Sequence, residues 1–262
     1  MAFAEINGTV LHYEYLTEDE DEPVLVLSNS LGTDFRIWLP LIDELTDNWS
    51  ILVYDKRGHG LSDLGKTPST IEDHADDLIG LVTHLGIGKA VFCGLSVGGL
   101  IVQSVYARKP ELVDKIVLCD TAHKIGTAEL WNDRIDTART AGIATMADNI
   151  LARWFTPAFH TERKTELAGY RNMLTRQSVE GYVAMCAAIR EADFTTQVSR
   201  MRVPVLCIVG DQDGSTPPDL VKATADLIPG AMFEVIAGSG HIPCVEQPAA
   251  LAELLAGFIN ED

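Results

Sequence analysis

At 262 residues with 47 % hydrophobic content, the chain is long enough for one large domain with a sizeable core, and its composition argues against wholesale disorder. Asp and Glu number 38 against 20 Lys and Arg, and the net charge of −18 argues against nucleic acid or an anionic membrane as a partner. No apolar stretch reaches the roughly 18 residues of a membrane span, and the first residues lack the basic and apolar regions of a signal peptide. Five cysteines without a C-x-x-C pair favour buried free thiols in a reducing compartment, so we expect a cytoplasmic protein.

In chain order, the first predicted elements are a hairpin and then alternating strands and helices. The hairpin turns at Asn7-Gly8, and the acidic run at 18–22 predicts a solvated loop. Apolar spacing predicts a helix over 71–85, with Thr70 and Asp73 as its capping box. Further runs predict a helix at 37–45 and strands at 2–6, 10–15, 24–27, 51–54, 89–93 and 113–119. Their alternation from about 24 to 120 predicts a mostly parallel sheet with helices on both faces.

This alternation stops after residue 120 and resumes near residue 203. Between 121 and 202 the patterns are helical, without a convincing strand. Strands at 205–209 and 232–236 then alternate with helices at 218–227 and 248–259. The predicted fold class is α/β, with a mostly parallel eight-stranded sheet flanked by helices and an inserted helical cap. The expected division is a core formed by 1–120 and 203–262, with the cap at 121–202.

The strongest motif is Gly94-Leu95-Ser96-Val97-Gly98, which lies between a predicted strand and a predicted helix. A strand, a G-x-S-x-G turn and a helix in this order are typical of a nucleophile elbow. Glycine suits the flanks because the turn is too tight for side chains there. We therefore expect Ser96 to present its hydroxyl above the sheet as a nucleophile.

A serine nucleophile needs a base and a group that orients the base. Among seven histidines, only His241 follows a late strand in a glycine-rich loop, at the sheet edge where ligands bind. His74 is expected on the exposed face of the helix at 71–85. Asp213, after the strand at 205–209, is the predicted acid, and Asp211 and Asp120 are the alternatives at strand ends.

An oxyanion hole needs two backbone amides that point to the developing charge. Val97, directly after the nucleophile, is predicted to supply one. Leu31, in the loop after the strand at 24–27, is predicted to supply the other, with Ser30 as the alternative. The sequence contains no metal-ligand spacing and no phosphate-binding glycine loop, so no metal is predicted.

Over essentially its whole length the chain resembles the α/β-hydrolase fold superfamily, and within it the 3-oxoadipate enol-lactonases of the β-ketoadipate pathway. The resemblance is carried by the stretches at 28–33, 54–62, 94–99 and 238–241. Ser-Asn-Ser-Leu-Gly at 28–32 replaces the His-Gly of many relatives and is more particular to the lactonases. Lys56 stands where relatives often have another residue, and the sequence assigns it no function.

This resemblance implies hydrolysis of 3-oxoadipate enol-lactone to 3-oxoadipate by Ser96, His241 and Asp213, without a cofactor. The substrate is then a small acidic lactone, whose carboxylate needs a positive or hydrogen-bonding group in the pocket. Among cap residues, Arg134 is the first candidate for this group, and Lys124 and Arg153 are the alternatives. Two tryptophans are expected either to wall the pocket or to pack within the cap: Trp131 and Trp154.

Other functions on the same framework stay open at this point. A carboxylesterase, a C–C bond hydrolase for ring-cleavage products or a perhydrolase-like enzyme would use the same three residues. A non-catalytic ligand-binding relative is the alternative from another class. The sequence makes no prediction of the oligomeric state.

Overall fold

The fold contains one sheet of eight strands. The computed structural model describes residues 1–17, 22–45 and 49–260. The strands are β1 (Ala2–Ile6), β2 (Thr9–Leu16), β3 (Val24–Ser28), β4 (Ser50–Tyr54), β5 (Ala90–Leu95), β6 (Val113–Cys119), β7 (Val205–Gly210) and β8 (Met232–Ile236). Their order across the sheet is β1-β2-β4-β3-β5-β6-β7-β8. The pairs β1–β2 and β2–β4 are antiparallel and all the others parallel, so the predicted mostly parallel sheet is confirmed. Residues 18–21 of the acidic run lie outside the described residues.

Twelve α-helices accompany the sheet in the described ranges. They are α1 (Leu39–Ile42), α2 (Ile71–His84), α3 (Val97–Arg108), α4 (Ala128–Ala141), α5 (Ala147–Trp154), α6 (Pro157–Glu162), α7 (Lys164–Thr175), α8 (Val179–Glu191), α9 (Thr195–Val198), α10 (Pro218–Leu227), α11 (Pro243–Glu246) and α12 (Pro248–Asn260). Short 3₁₀ turns occupy Phe35–Trp38, Pro110–Leu112 and Ile143–Met146. The helix predicted at 37–45 is therefore only a 3₁₀ turn followed by the single turn α1. None of these helices is long and apolar enough to cross a membrane.

Helix α2 confirms the predicted capping box and corrects one expectation. The Thr70 hydroxyl accepts from the Asp73 amide, and the Asp73 carboxylate accepts from the Thr70 amide. His74, however, is buried rather than exposed, and its Nε2 lies 3.2 Å from Ser69 Oγ. Burial first, and then charges that include those of Arg57 and Lys56 in the loop after β4, hold the pKa of His74 well below its usual value.

The central strands are buried from end to end. β4, β5 and β7 have every residue buried, as expected for apolar runs covered by helices on both faces. All five cysteines are buried free thiols, as predicted. Because the central strands are parallel, the loops after β3, β5, β6 and β7 meet at one edge of the sheet. That edge is the place where the predicted site residues come together.

Helices α4–α9, here called the cap helices, lie between β6 and β7 in the chain. No strand occurs there among residues that the structure describes. Main-chain bonds join this segment to the core: the His241 amide donates to the Trp154 carbonyl at 2.8 Å, and the Gly214 amide to the Arg153 carbonyl at 3.3 Å. The Glu246 carboxylate accepts from the Thr156 amide and from the Gly240 amide. The division at 120 and 202 stays a prediction.

Candidate active site

The turn between β5 and α3 has the backbone that a nucleophile elbow requires. Ser96 has φ of +57° and ψ of −119°, a conformation that costs a non-glycine residue backbone strain. Its amide donates to the Cys119 carbonyl at 3.0 Å, and its carbonyl accepts from Thr121 Oγ1 at 2.6 Å. These bonds to the end of β6 hold the strained residue in place.

The two flanking glycines are required by close approach of the backbone. A Cβ on Gly94 would lie 2.4 Å from the carbonyl of Gly98, so only glycine lets β5 and α3 come this close. A Cβ on Gly98 would lie 2.0 Å from the carbonyl oxygen of Ser28, at the end of β3. The elbow therefore sits directly against the loop that carries Leu31.

His241 and Asp213 form a buried hydrogen-bonded pair, with 2.9 Å between Nδ1 and Oδ2. Asp213 also accepts from the amides of Ser215 and Thr216, at 2.7 and 3.1 Å, and from Thr216 Oγ1, at 2.6 Å. Burial favours the neutral acid, but His241 and these donors outweigh it, so the pKa of Asp213 lies below its usual value. Because Nδ1 is bound to Asp213, Nε2 is the ring nitrogen that is left to take a proton.

The two alternative acids have different environments. Asp211 accepts from the Ser239 amide at 3.2 Å and thus stabilises the turn. Asp120 is buried at the end of β6, where its Oδ1 accepts from the Gly210 amide at 2.9 Å. Burial first, and then the charge of Asp213, raise the pKa of Asp120 well above its usual value. This shift favours the neutral form of Asp120 beside the His241–Asp213 pair.

Asp120, Asp213 and His241 bring ligand atoms within 4.8 Å of one another, which invites comparison with a metal site. The Asp213 oxygens and His241 Nδ1 already bond to each other and to donors of the loop at 215–216. These N–H and O–H donors occupy the lone pairs that a cation would need. The cluster therefore orients the imidazole of His241 through Asp213.

The loop after β3 carries Leu31, one of the two predicted oxyanion donors, and Ser30, its alternative. Leu31 and Ser30 line the same cavity as Ser96 and His241. Val97 begins α3, so its amide is one of those that a helix leaves without an internal partner. The structure thus brings together the serine, the histidine and both predicted sources of amides.

Sequence reasoning gave no role to one residue of this region. Lys56 is buried, and its Nζ donates to the carbonyl oxygens of Asn29 and Ser30 at 2.9 and 3.1 Å. The signal in the sequence was a lysine within two residues of a buried apolar strand, at the sheet edge where the site forms.

Cap residues form the other wall of the cavity. Trp131 and Trp154 are buried and line it, and Trp131 Nε1 donates to the Ile125 carbonyl at 2.7 Å. The tryptophans therefore both wall the cavity and pack within the cap. The lining comprises Ser30, Leu31, Ser96, Ile125, Gly126, Leu130, Trp131, Arg134, Arg153, Trp154, Ile189, Ser215, Thr216 and His241.

The three candidate cations differ in position. Arg134 lines the cavity, and its partners are uncharged: Nε donates to the Tyr182 hydroxyl at 2.8 Å, and the guanidinium lies 5.4 Å from the Trp131 ring centre. Arg153 is exposed but also lines the cavity. Lys124 is paired with Asp193 at 3.0 Å on the surface and is not among the lining residues. Arg134 is thus a partly buried cation in the lining of the cavity that also contains Ser96.

Comparisons with known proteins identify the family to which this chain belongs. Residues 23–248 match the family model of the α/β-hydrolase fold. Similar proteins include 3-oxoadipate enol-lactonase 2 of Acinetobacter baylyi, 37 % identical over 88 % of this chain and 86 % of the relative, and 3-oxoadipate enol-lactonase 1 of the same organism, 30 % identical over 92 % and 90 %. A crystal structure of the enol-lactonase from Burkholderia xenovorans superimposes with a TM-score of 0.96 at 38 % identity, covering 99 % of this chain and 100 % of that one. The chain therefore belongs to the α/β-hydrolase fold family and is an enzyme of the hydrolase class.

Proposed function

We propose that this enzyme hydrolyses 3-oxoadipate enol-lactone to 3-oxoadipate through an acyl-enzyme on Ser96. The observation that carries the proposal is one cavity lined by Ser96, by His241 with its Nδ1 on Asp213, and by Arg134. The similarity to proteins named 3-oxoadipate enol-lactonase supports this substrate. The proposal includes a cytoplasmic location and a cap formed by residues 121–202.

In the proposed mechanism, Ser96 Oγ attacks the lactone carbonyl carbon while His241 Nε2 takes its proton. The carbonyl oxygen becomes an oxyanion, which accepts hydrogen bonds from the amides of Leu31 and Val97. The ring C–O bond then breaks, and the enol oxygen takes the proton back from His241. The enol collapses to the ketone, which makes it a good leaving group. Asp213 orients the imidazole and stabilises its cationic form.

Deacylation repeats the same steps with water. His241 takes a proton from a water molecule, which attacks the acyl carbon and forms a second oxyanion. This intermediate expels Ser96, which regains its proton from His241, and the product leaves as a carboxylic acid that releases its proton to solvent and becomes a carboxylate. In each step, side chains and amides of this chain transfer the protons and stabilise the oxyanion, so the proposed mechanism uses no cofactor.

The substrate carboxylate is proposed to bind Arg134. The net charge of −18 repels an acidic ligand at long range, so a local cation is needed to hold it. A guanidinium can bind a carboxylate through two parallel hydrogen bonds. Because the partners of Arg134 are a hydroxyl and aromatic rings, no carboxylate of its own neutralises it among these contacts.

The test is an ultraviolet assay of 3-oxoadipate enol-lactone, generated in situ from muconolactone, with Ser96→Ala as the control. We expect rapid loss of the enol-lactone signal with the native enzyme and only the spontaneous rate with Ser96→Ala. A native enzyme that does not exceed the spontaneous rate would overturn the substrate proposal.

The same preparation separates the alternative functions. Labelling of Ser96 by a fluorophosphonate, together with activity on neutral p-nitrophenyl esters alone, would indicate a carboxylesterase. Turnover of ring-cleavage products or of peroxide would indicate a C–C bond hydrolase or a perhydrolase. Folded protein whose Ser96 stays unlabelled would indicate a ligand-binding relative.

A further inference from the structure

The proposed mechanism gives no role to the buried cation of Lys56. Lys56 follows β4 and is only 1 % exposed. Burial lowers its pKa to about 7, although the charges of Asp55 and Asp34 act in the opposite direction. A buried ammonium is costly unless its hydrogens find strong acceptors. Its acceptors here are two backbone carbonyls of the loop after β3.

These two carbonyls belong to the peptide groups that carry the candidate oxyanion donors. The Ser30 carbonyl shares a planar peptide group with the Leu31 amide, and the Asn29 carbonyl shares one with the Ser30 amide. In a trans peptide the C=O and N–H bonds point in opposite directions. A cation on the oxygen therefore fixes the direction of the N–H and withdraws electrons from it, which strengthens it as a donor. Lys56 has this relationship to Leu31, the donor predicted in this loop, and to Ser30, the alternative to Leu31.

Neutral groups already hold the shape of this loop. Thr33 Oγ1 donates to the Ser30 carbonyl at 2.9 Å, and Asn29 Nδ2 donates to the Thr33 carbonyl at 2.7 Å. Gly98 packs against the start of the loop, so the elbow limits its position from the other side. What Lys56 adds to these contacts is a positive charge.

We infer that Lys56 is a positioning residue of the oxyanion hole, whose buried ammonium orients and polarises the Asn29–Ser30 and Ser30–Leu31 peptide groups toward the substrate carbonyl oxygen. The inference rests on the proposed function only in taking this loop as the source of an oxyanion donor. It gives the lysine a role in transition-state binding, because the ground-state carbonyl carries less charge than the oxyanion.

The ionisable groups around Lys56 are two carboxylates, Asp34 and Asp55, and two histidines, His59 and His74. Asp34 is paired with Arg36 at 2.6 Å, and Asp55 with His12 at 2.7 Å. Burial and the charge of Lys56 lower the pKa of His59 to about 3, and the pKa of His74 is also well below its usual value, so both rings are neutral. A neutral amine still donates to both carbonyls but polarises them less. Activity is therefore expected to decline partly as the pH rises through about 7.

The test compares Lys56→Met and Lys56→Gln with Thr33→Val, which removes a neutral donor to the same Ser30 carbonyl. Values of kcat and KM are measured across pH for each variant, with active sites counted by fluorophosphonate. We expect Lys56→Met to lower kcat about tenfold with little change in KM, and to remove the decline above pH 7, since one oxyanion donor is worth about 10²–10³ in kcat. Lys56→Gln, with donors and no charge, is expected to lose the decline as well. Thr33→Val is expected to keep it.

A second measurement separates polarisation from packing. A boronic acid that forms a tetrahedral adduct on Ser96 is expected to bind Lys56→Met about tenfold more weakly, because its oxygen occupies the oxyanion hole. The affinity for 3-oxoadipate is expected to stay the same. Normal kcat per titrated active site in Lys56→Met and Lys56→Gln, or an unchanged decline above pH 7, would overturn the inference and leave Lys56 a structural residue.

The role of Lys56 can still be tested if 3-oxoadipate enol-lactone is not the substrate. If the native enzyme does not turn over the enol-lactone, the same variants are compared in the acylation of Ser96 by p-nitrophenyl acetate, which needs only a serine hydrolase with an oxyanion hole. Equal acylation rates of native enzyme and Lys56→Met would then overturn the inference on its own terms.

Discussion

A carboxyl oxygen of Asp120 lies within 4.8 Å of a carboxyl oxygen of Asp213, although the two residues follow different strands of the sheet. Two buried carboxylates at this separation do not both ionise at low cost. Asp213 accepts from two amides, the Thr216 hydroxyl and His241, whereas Asp120 accepts from one amide and lies near the weakly donating Cys119 thiol. The charge therefore resides on Asp213 and the proton on Asp120.

This asymmetry predicts opposite results for two matched substitutions. Asp213→Asn removes the charge that stabilises cationic His241 and is expected to lower kcat by about 10³- to 10⁴-fold. Asp120→Asn replaces a neutral group with a neutral group of the same shape, and kcat at neutral pH is expected to change by only a few-fold. Steady-state kinetics of both variants check this, and a greater loss in Asp120→Asn would make Asp120 the acid of the site.

Arg134→Ala is expected to raise KM for the acidic lactone by about 10- to 100-fold, the worth of a charge-assisted hydrogen bond. KM for a neutral p-nitrophenyl ester is expected to change little. Lys124→Ala is the control, because it removes the same charge from a surface ion pair outside the cavity. If the two variants have the same KM for the lactone, another group binds the carboxylate, and Arg153→Ala is the next variant to measure.

Gly98→Ala is expected to lower the free energy of unfolding by about 1–3 kcal/mol and to reduce activity, since its Cβ would lie 2.0 Å from the Ser28 carbonyl oxygen. Gly169→Ala, in α7 with open space around its Cβ, is the control. This substitution is expected to stabilise the fold by about 0.5–1 kcal/mol, because alanine restricts the unfolded chain. Urea unfolding of the two variants measures both effects, and equal unfolding curves would contradict the packing described for the elbow.

The thiols are expected to be inert in the native protein. Burial raises the pKa of Cys93, Cys186 and Cys207 to about 12, and those of Cys119 and Cys244 well above their usual value. A thiol reagent at pH 8 is therefore expected to react slowly with folded enzyme and with five thiols after unfolding in urea, because the thiolate is the reactive form. Rapid reaction of any cysteine in folded enzyme would disagree with this burial.

Sequence patterns predicted the sheet and the main site residues because both depend on local signals. The Asn7-Gly8 turn marked the first two strands, apolar runs of strand length marked the later ones, and the elbow glycines marked the turn at Ser96. Asp213 and His241 were predicted because parallel strands end at the same edge, so position along the chain implies position in space. Their mutual hydrogen bond is seen only in the structure.

Contacts that depend on strand order could not be predicted in this way. Lys56 reaches the carbonyls of Asn29 and Ser30 because β4 lies next to β3, an adjacency that the sequence separation of 26–27 residues does not reveal. His74 was predicted to be exposed because helical spacing shows only the apolar face, whereas the loop after β4 covers a second face of α2. Polar residues whose partners come from another element carry no periodic signal.

The main-chain bond between Trp154 and His241 limits how such an enzyme can be recombined. A Cβ on Gly240 would lie 2.5 Å from the Trp154 carbonyl oxygen, so the histidine loop is fitted closely to the backbone at the end of α5. A chimera that takes its cap helices from another family member must therefore preserve the backbone at residues 153–156, or it will displace His241 together with the pocket wall. The cap helices therefore cannot be exchanged freely between family members. Changing side chains on α4 and α8 is a better route to new specificities than grafting whole segments.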